Sequence, residues 1–119
     1  MSRRISIVDD DASVRSALEW LCLTAGYEVK TYDSAEDFLE AAELDETECL
    51  VLDVNLPGQS GLQLQRKLRA AENCLPIVFI TAFDDEQVRS EALNNGAVNF
   101  LSKPLDSEQL LAVIKKALG

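Results

Sequence analysis

The sequence predicts a doubly wound α/β domain, a (βα)5 chain whose five strands form one parallel sheet in the order 2-1-3-4-5. Three observations predict it. Short apolar runs alternate with segments of helical periodicity along the whole chain. Two of the runs, Cys49–Leu52 and Ile77–Ile80, are apolar without interruption, as strands covered on both faces are. Polar residues of distinctive type stand where four of the runs end: Asp9-Asp10, Asp53, Thr81 and Ser102-Lys103-Pro104. In a parallel sheet those ends share one edge, where open α/β sheets bind ligands at a topological switch point.

Each element has its own signal. Ile5–Val8 is the first strand, followed by Asp9–Asp11. Val14, Leu18, Leu21 and Ala25 then recur at helical spacing, and Gly26 closes that helix as a C′ residue. Tyr27–Tyr32 alternates, as an edge strand does. Ser34-Ala35-Glu36-Asp37 reads as a capping box opening a helix with Phe38, Leu39 and Ala42 on its apolar face. Cys49–Asp53 is a fully apolar strand that ends in a carboxylate, and Asn55–Gly61 is a loop carrying Pro57, Gly58 and Gly61. Leu62, Leu64, Leu68 and Ala71 mark the third helix, and Pro76 opens the strand Ile77–Thr81. Asp84-Asp85-Glu86 starts a helix through Val88, Ala92 and Leu93 that ends at Asn95-Gly96. Ala97–Leu101 is the fifth strand, and Asp106 or Ser107 caps a last helix with Leu110, Leu111, Val113, Ile114, Ala117 and Leu118 on its apolar side. Right-handed crossovers leave few topologies for such a chain. The flavodoxin-like strand order sets strands 1 and 3 side by side, with Asp9-Asp10 against Asp53.

Composition narrows the chemistry. The 119 residues make one domain, residues 1–119, long enough to bury a core without staples. A net charge of −10 repels phosphate backbones, so direct nucleic-acid binding by this domain is not expected. The eight acids between Asp33 and Glu48, with no Lys or Arg among them, read as a solvated helix face and loop. No histidine is present, which removes Ser-His-Asp and Cys-His catalysis and nearly every zinc site. Cys22, Cys49 and Cys74 lack a CxxC spacing and read as small core or boundary residues in a reducing cytoplasm. No signal peptide is recognised and no apolar run approaches a membrane span, so no membrane association is expected.

Three carboxylates at one sheet edge repel one another, and a bound divalent cation relieves that repulsion. Hard oxygen donors in a small acidic crevice suit Mg2+, with Mn2+ as a substitute. Asp9, Asp10 and Asp53 are the candidate ligands, with the backbone carbonyl of Asn55. Either Asp10 or Asp11 also serves as the N-cap of the first helix. A carboxylate closing a buried strand at position 53 has no such structural use, and an unpaired charge there is costly. Carboxylates attack phosphorus to form aspartyl phosphates. Phosphoryl transfer needs in-line positioning, a metal bridging oxygens and a cation on the developing charge. Lys103 supplies that cation, and Thr81 supplies a hydroxyl for a phosphoryl oxygen.

With these residues assembled, the chain resembles the response-regulator receiver domains of bacterial two-component signalling, from Arg4 to Leu118. The motifs are Val8-Asp9-Asp10, Asp53-Val54-Asn55-Leu56-Pro57-Gly58-Gln59-Ser60-Gly61, Thr81-Ala82 and Phe100-Leu101-Ser102-Lys103-Pro104. The resemblance implies Asp53 as phosphoacceptor from a partner sensor histidine kinase, and Mg2+ on Asp9, Asp10, Asp53 and the Asn55 carbonyl. It implies Lys103 as the phosphate-binding lysine, Thr81 and Phe100 as a switch pair, and a cis Lys103–Pro104 peptide. On activation Phe100 is expected to turn from an exposed to a buried rotamer and the helix 4/strand 5/helix 5 surface to change, promoting a homodimer. Phe100 stands where many receivers carry Tyr. The segment Gly96–Leu105 and the Leu56–Gly61 loop most resemble the nitrogen-fixation regulator subgroup. Its members usually carry a C-terminal helix-turn-helix of the LuxR type, expected to lie outside this chain. The implied role is a transcriptional switch that promotes its own phosphotransfer and dephosphorylation, rather than an enzyme acting on other substrates.

Three other readings fit less well. A haloacid-dehalogenase-type phosphatase needs a second Asp where Asn55 stands. A flavodoxin-like cofactor binder needs a Ser/Thr/Gly-rich phosphate loop where the acidic Asp9–Asp11 stands. A receiver that works without phosphorylation would not need the full residue set.

Overall fold

The computed structural model describes residues 3–41 and 46–119. The elements run β1 (Arg4–Val8), α1 (Ala12–Thr24), β2 (Glu28–Tyr32), α2 (Ala35–Glu40), β3 (Cys49–Asp53), α3 (Gly61–Ala70), β4 (Ile77–Thr81), α4 (Glu86–Asn94), β5 (Asn99–Ser102) and α5 (Ser107–Leu118). The strands form one sheet in the order β2-β1-β3-β4-β5, with β1–β2, β1–β3, β3–β4 and β4–β5 all parallel. The expected fold class is the one observed.

Period-two alternation divides the strand side chains between two cores. Val8, Leu50, Leu52, Ile77, Phe79 and Phe100 meet Phe38 of α2, Leu64 and Leu68 of α3 and Ala92 of α4. Ile5, Ile7, Cys49, Val51, Val78, Ile80 and Leu101 meet Leu18 and Cys22 of α1 and Leu110 and Ile114 of α5. Helices α2, α3 and α4 therefore cover one face and α1 and α5 the other. All five residues of β3 and of β4 are buried, which is why those runs carry no alternation in sequence. Each large aliphatic chain so buried contributes about 1.5–3 kcal/mol.

Local chemistry sets the ends of the helices. Asp11 caps α1, its carboxylate accepting from the N–H groups of Ser13 and Val14. Gly26 follows with φ +96°, the left-handed conformation that ends the helix. Ser34 caps α2 through the Asp37 N–H alone. The reciprocal capping box lies at α3 instead: Gln63 N–H donates to Ser60 Oγ, and Ser60 N–H donates to Gln63 Oε1. A neutral amide reaches back where the Asp37 carboxylate is too short to do so. Asp85 and Asp106 cap α4 and α5.

Several boundaries shift from expectation by a residue or two: β1 gains Arg4, β2 loses Tyr27, β5 gains Ser102, and two further shifts have a local cause. Gly61 is the first residue of α3 rather than the last of the loop. β5 starts at Asn99 rather than Ala97, because the Ala97 N–H is taken by the Ala92 carbonyl in the turn that closes α4. The expected Ala42 contact of α2 and part of the acidic run lie outside the described residues.

Candidate functional site

The register levels the strand ends. Val8 pairs with Leu52, Asp53 with Ile80, and Thr81 with Ser102. The residues after Val8, at Asp53, at Thr81 and after Ser102 therefore converge on one edge. Carboxylate oxygens of Asp9, Asp10 and Asp53 lie within 4.8 Å of one another. Asp9 is fully buried, Asp53 is 4 % exposed, and Asp10 faces solvent. Lys103 Nζ bridges the two buried carboxylates, 2.9 Å from Asp9 Oδ2 and 3.3 Å from Asp53 Oδ2.

The rest of the local bonding holds these groups in place. Asp9 Oδ1 accepts the Asp11 N–H at 2.9 Å, and the Asp9 N–H donates to the Tyr32 carbonyl. Asp53 Oδ1 accepts the Asn55 N–H at 3.1 Å, a turn that leaves the exposed Asn55 at the mouth of the crevice. The Gly61 position lets α3 approach the end of β3, since a Cβ there would lie 2.4 Å from the Asp53 carbonyl oxygen. The Lys103–Pro104 peptide is cis.

Burial, with help from the Asp9 charge, raises the Asp53 pKa to about 6, against the lowering by the Asn55 N–H and Lys103. Burial also disfavours the Lys103 ammonium, but Asp9 and Asp53 outweigh it and hold that pKa above the ordinary lysine value. The crevice is thus short of positive charge: two buried carboxylates share one ammonium, and a third stands beside them. Three hard oxygen donors with a charge deficit fit a divalent cation such as Mg2+.

Phe100 departs from the exposed placement expected of it, and Thr81 is held by local hydrogen bonds. Thr81 Oγ1 accepts the Phe83 N–H at 3.1 Å and donates to the Phe83 carbonyl at 3.1 Å, while Asn55 Nδ2 donates to it at 3.3 Å. Its hydroxyl is committed rather than free. Phe100 is 3 % exposed, so the expectation of an exposed resting ring is corrected. The pleat of β5 turns the ring onto Phe79, with centroids 6.2 Å apart, and the Arg89 guanidinium of α4 covers it at 5.1 Å. Arg89 is in turn bound to Asp84 at 2.6 Å.

Cys22 and Cys49 are buried, with thiols pushed by burial up to about 11 and about 12, and Cys74 is exposed. No thiolate chemistry is expected of the buried pair. No helix among the described residues is long and apolar enough to cross a membrane.

Sequence reasoning missed Arg15, which holds the Asp9 carbonyl, and the residues that tie α4 to α3. Arg15 Nη1 donates to the Asp9 carbonyl at 2.7 Å. The one available signal was a cation placed in the first turns of a helix, at the end where the helix dipole disfavours it. Gln65, fully buried in α3, donates to the Ala92 carbonyl at 2.9 Å, and Arg69 donates to the Asn95 carbonyl at 3.0 Å. A glutamine between Leu64 and Leu68 on a helix gives no hint of its partner 27 residues away.

Comparison with known proteins agrees with this geometry. Residues 5–115 match the family model described as the response regulator receiver domain. The transcriptional regulatory protein TdiR of Thauera aromatica is 42 % identical over 115 residues, which are 97 % of this chain and 51 % of that protein. The transcriptional regulatory protein FixJ of Bradyrhizobium diazoefficiens is 37 % identical over 114 residues, 96 % of this chain and 56 % of that protein. Among solved structures, the response regulator StyR superposes with a TM-score of 0.91 at 43 % identity, over 99 % of this chain and 60 % of that one. The chain thus spans about half the length of the curated relatives it matches. By its fold, by the residues at its sheet edge and by these matches, the chain belongs to the response regulator receiver domain family.

Proposed function

We propose that Asp53 is the phosphoacceptor of a signalling switch, and that the crevice around it binds Mg2+ and the incoming phosphoryl group. The observation that carries this reading is the Lys103 ammonium seated between Asp9 and Asp53 on a buried sheet edge. Asp9, Asp10, Asp53 and the Asn55 carbonyl are the residues that would hold Mg2+, or Mn2+ in its place. When bound, the cation offsets charge on the phosphoryl oxygens. Asp53 Oδ attacks phosphorus, and the bond from phosphorus to the donor nitrogen breaks. The electron pair leaves with that nitrogen, which takes a proton from solvent. A sensor kinase's phosphohistidine suits this role, because the chain has no histidine. Lys103 then pairs with a phosphoryl oxygen, and Thr81 gives up its bond to the Phe83 carbonyl to donate to another. Water attack on phosphorus in the same crevice then breaks its bond to the Asp53 oxygen, releases inorganic phosphate and returns the free carboxylate.

Thr81 and Phe100 form the switch pair in this reading. Drawing the Thr81 hydroxyl inward frees the Phe83 backbone at the start of the β4–α4 segment, which carries Asp84 and Arg89. The cover over Phe100 is then rearranged from α4, rather than the ring moving in from solvent. The surface of α4, β5 and α5 changes with it and promotes a homodimer. TdiR and FixJ are named transcriptional regulatory proteins and extend well beyond the matched segment. A helix-turn-helix output domain in the full protein is proposed on that basis, with a cytoplasmic location that suits three free cysteines.

Beryllofluoride, a stable phosphoryl mimic, tests the reading in amide spectra recorded with Mg2+. Shifts are expected at Asp9–Asp11, Asp53–Asn55, Thr81–Phe83 and Lys103 and onward into α4. The same shifts in Asp53→Asn would remove Asp53 from the role.

A further inference from the structure

We propose that Arg15 is a positioning residue for the carboxylate cluster: its guanidinium fixes the Asp9–Asp10 peptide and thereby aims Asp10 at Asp9 and Asp53. The inference rests on the reading of those three carboxylates as a cation site. Asp9 is tied at every point. Its N–H donates to Tyr32, its side chain meets Asp11 and Lys103, and its carbonyl accepts Arg15 Nη1 at 2.7 Å. Asp10 differs. It is exposed, and it comes within 4.8 Å of the other two carboxylates through the backbone that carries it. The orientation of that backbone is the plane of the Asp9–Asp10 peptide, whose carbonyl is the one Arg15 holds.

The placement of Arg15 has no counterpart in helix stability. It lies four residues after the N-cap Asp11, where the positive end of the helix dipole disfavours a cation. Its side chain turns from α1 toward the acidic edge and is partly buried there. Charge alone predicts that this cation weakens Mg2+ binding, because it repels a second cation brought to the same acidic edge. Positioning predicts the reverse. The sign of the effect on removal therefore separates the two.

The experiment is calorimetric titration of Mg2+ into the wild type and into Arg15→Met, Arg15→Gln, Arg15→Lys and Asp10→Asn, with melting midpoints in EDTA. Arg15→Met and Arg15→Gln are expected to bind Mg2+ roughly 10-fold more weakly, as loss of a residue behind a metal ligand does. Their metal-free melting midpoints should stay close to wild type. Arg15→Lys keeps a donor on a long stem and should recover part of the loss. If Arg15→Met does not fold, Arg15→Gln decides. Affinity equal to or tighter than wild type in the folded Arg15 variants, with Asp10→Asn impaired, overturns the role of Arg15 and leaves the cation site standing. Unchanged affinity in Asp10→Asn overturns both.

Discussion

Asp53 sits where burial opposes its charge, and that cost is measurable. Its folded pKa of about 6 lies above the ordinary carboxylate value of 3.8. The neutral form is therefore favoured by folding. The associated stability is fully present below pH 3.8 and is lost as pH rises through about 6. Metal-free Asp53→Asn should be more stable than wild type at pH 7, and the difference should shrink toward zero by about pH 4. Denaturant melts of both proteins in EDTA across that range would show it, and a pH-independent difference would contradict the burial argument. Lys103 bears on the same balance. Lys103→Met leaves Asp9 and Asp53 without their shared ammonium, and should lower metal-free stability at pH 7 by about 1–3 kcal/mol. Added Mg2+ should restore more stability to this variant than to wild type. At this scale the acids and Lys103 were legible in sequence, because a charged residue closing an apolar strand has few other uses. The Thr81–Phe83 bonds, the Arg89 cover on Phe100 and the Arg15–Asp9 contact were not. They depend on rotamers and on distances between separate elements, which composition and periodicity do not encode.

The elements carry their instructions locally, with one exception at the site. Asp11, Ser34, Ser60, Asp85 and Asp106 are all short polar caps placed just before a helix. Asp11→Ala should cost about 1 kcal/mol through loss of the α1 cap. It should leave Mg2+ affinity within about 2-fold, since Asp11 touches the cluster only through its backbone N–H. Chemical denaturation and metal titration of one preparation test both halves. Strand identities and the Cys49–Asp53 and Ile77–Thr81 boundaries were readable because buried strands are continuous apolar runs. The start of β5 was not, because the turn after α4 claims the Ala97 N–H before the strand can. Gly61 is the exception. It reads as the last residue of the loop, yet it opens α3, where a Cβ would collide with the Asp53 carbonyl. Gly61→Ala is expected to displace the end of β3 and to weaken Mg2+ binding more than it lowers the melting midpoint, a comparison calorimetry makes directly.

At the scale of the whole molecule, the strand order does the functional work. Placing β1 beside β3 and β4 beside β5 turns four separate strand ends into one crevice. A phosphoryl group there adds about −1.5 to −2 charge and strong acceptor oxygens. In the proposed switch it would act on Thr81, at the root of the segment that leads to Asp84, Arg89 and the cover on Phe100. Coupling of this kind requires two arrangements of one element that both sites bias, and α4 is the element proposed for that part. It is anchored to α3 at its far end by Gln65, Arg69 and the Arg66–Glu91 pair. Sedimentation of wild type with Mg2+ and beryllofluoride should show self-association that Thr81→Ala lacks. A monomer under both conditions would confine the response to the crevice. The most direct test of the central claim is intact-mass measurement after incubation with acetyl phosphate and Mg2+. Wild type is predicted to gain one phosphoryl group that EDTA prevents and Asp53→Asn does not acquire; equal modification of Asp53→Asn would contradict the account.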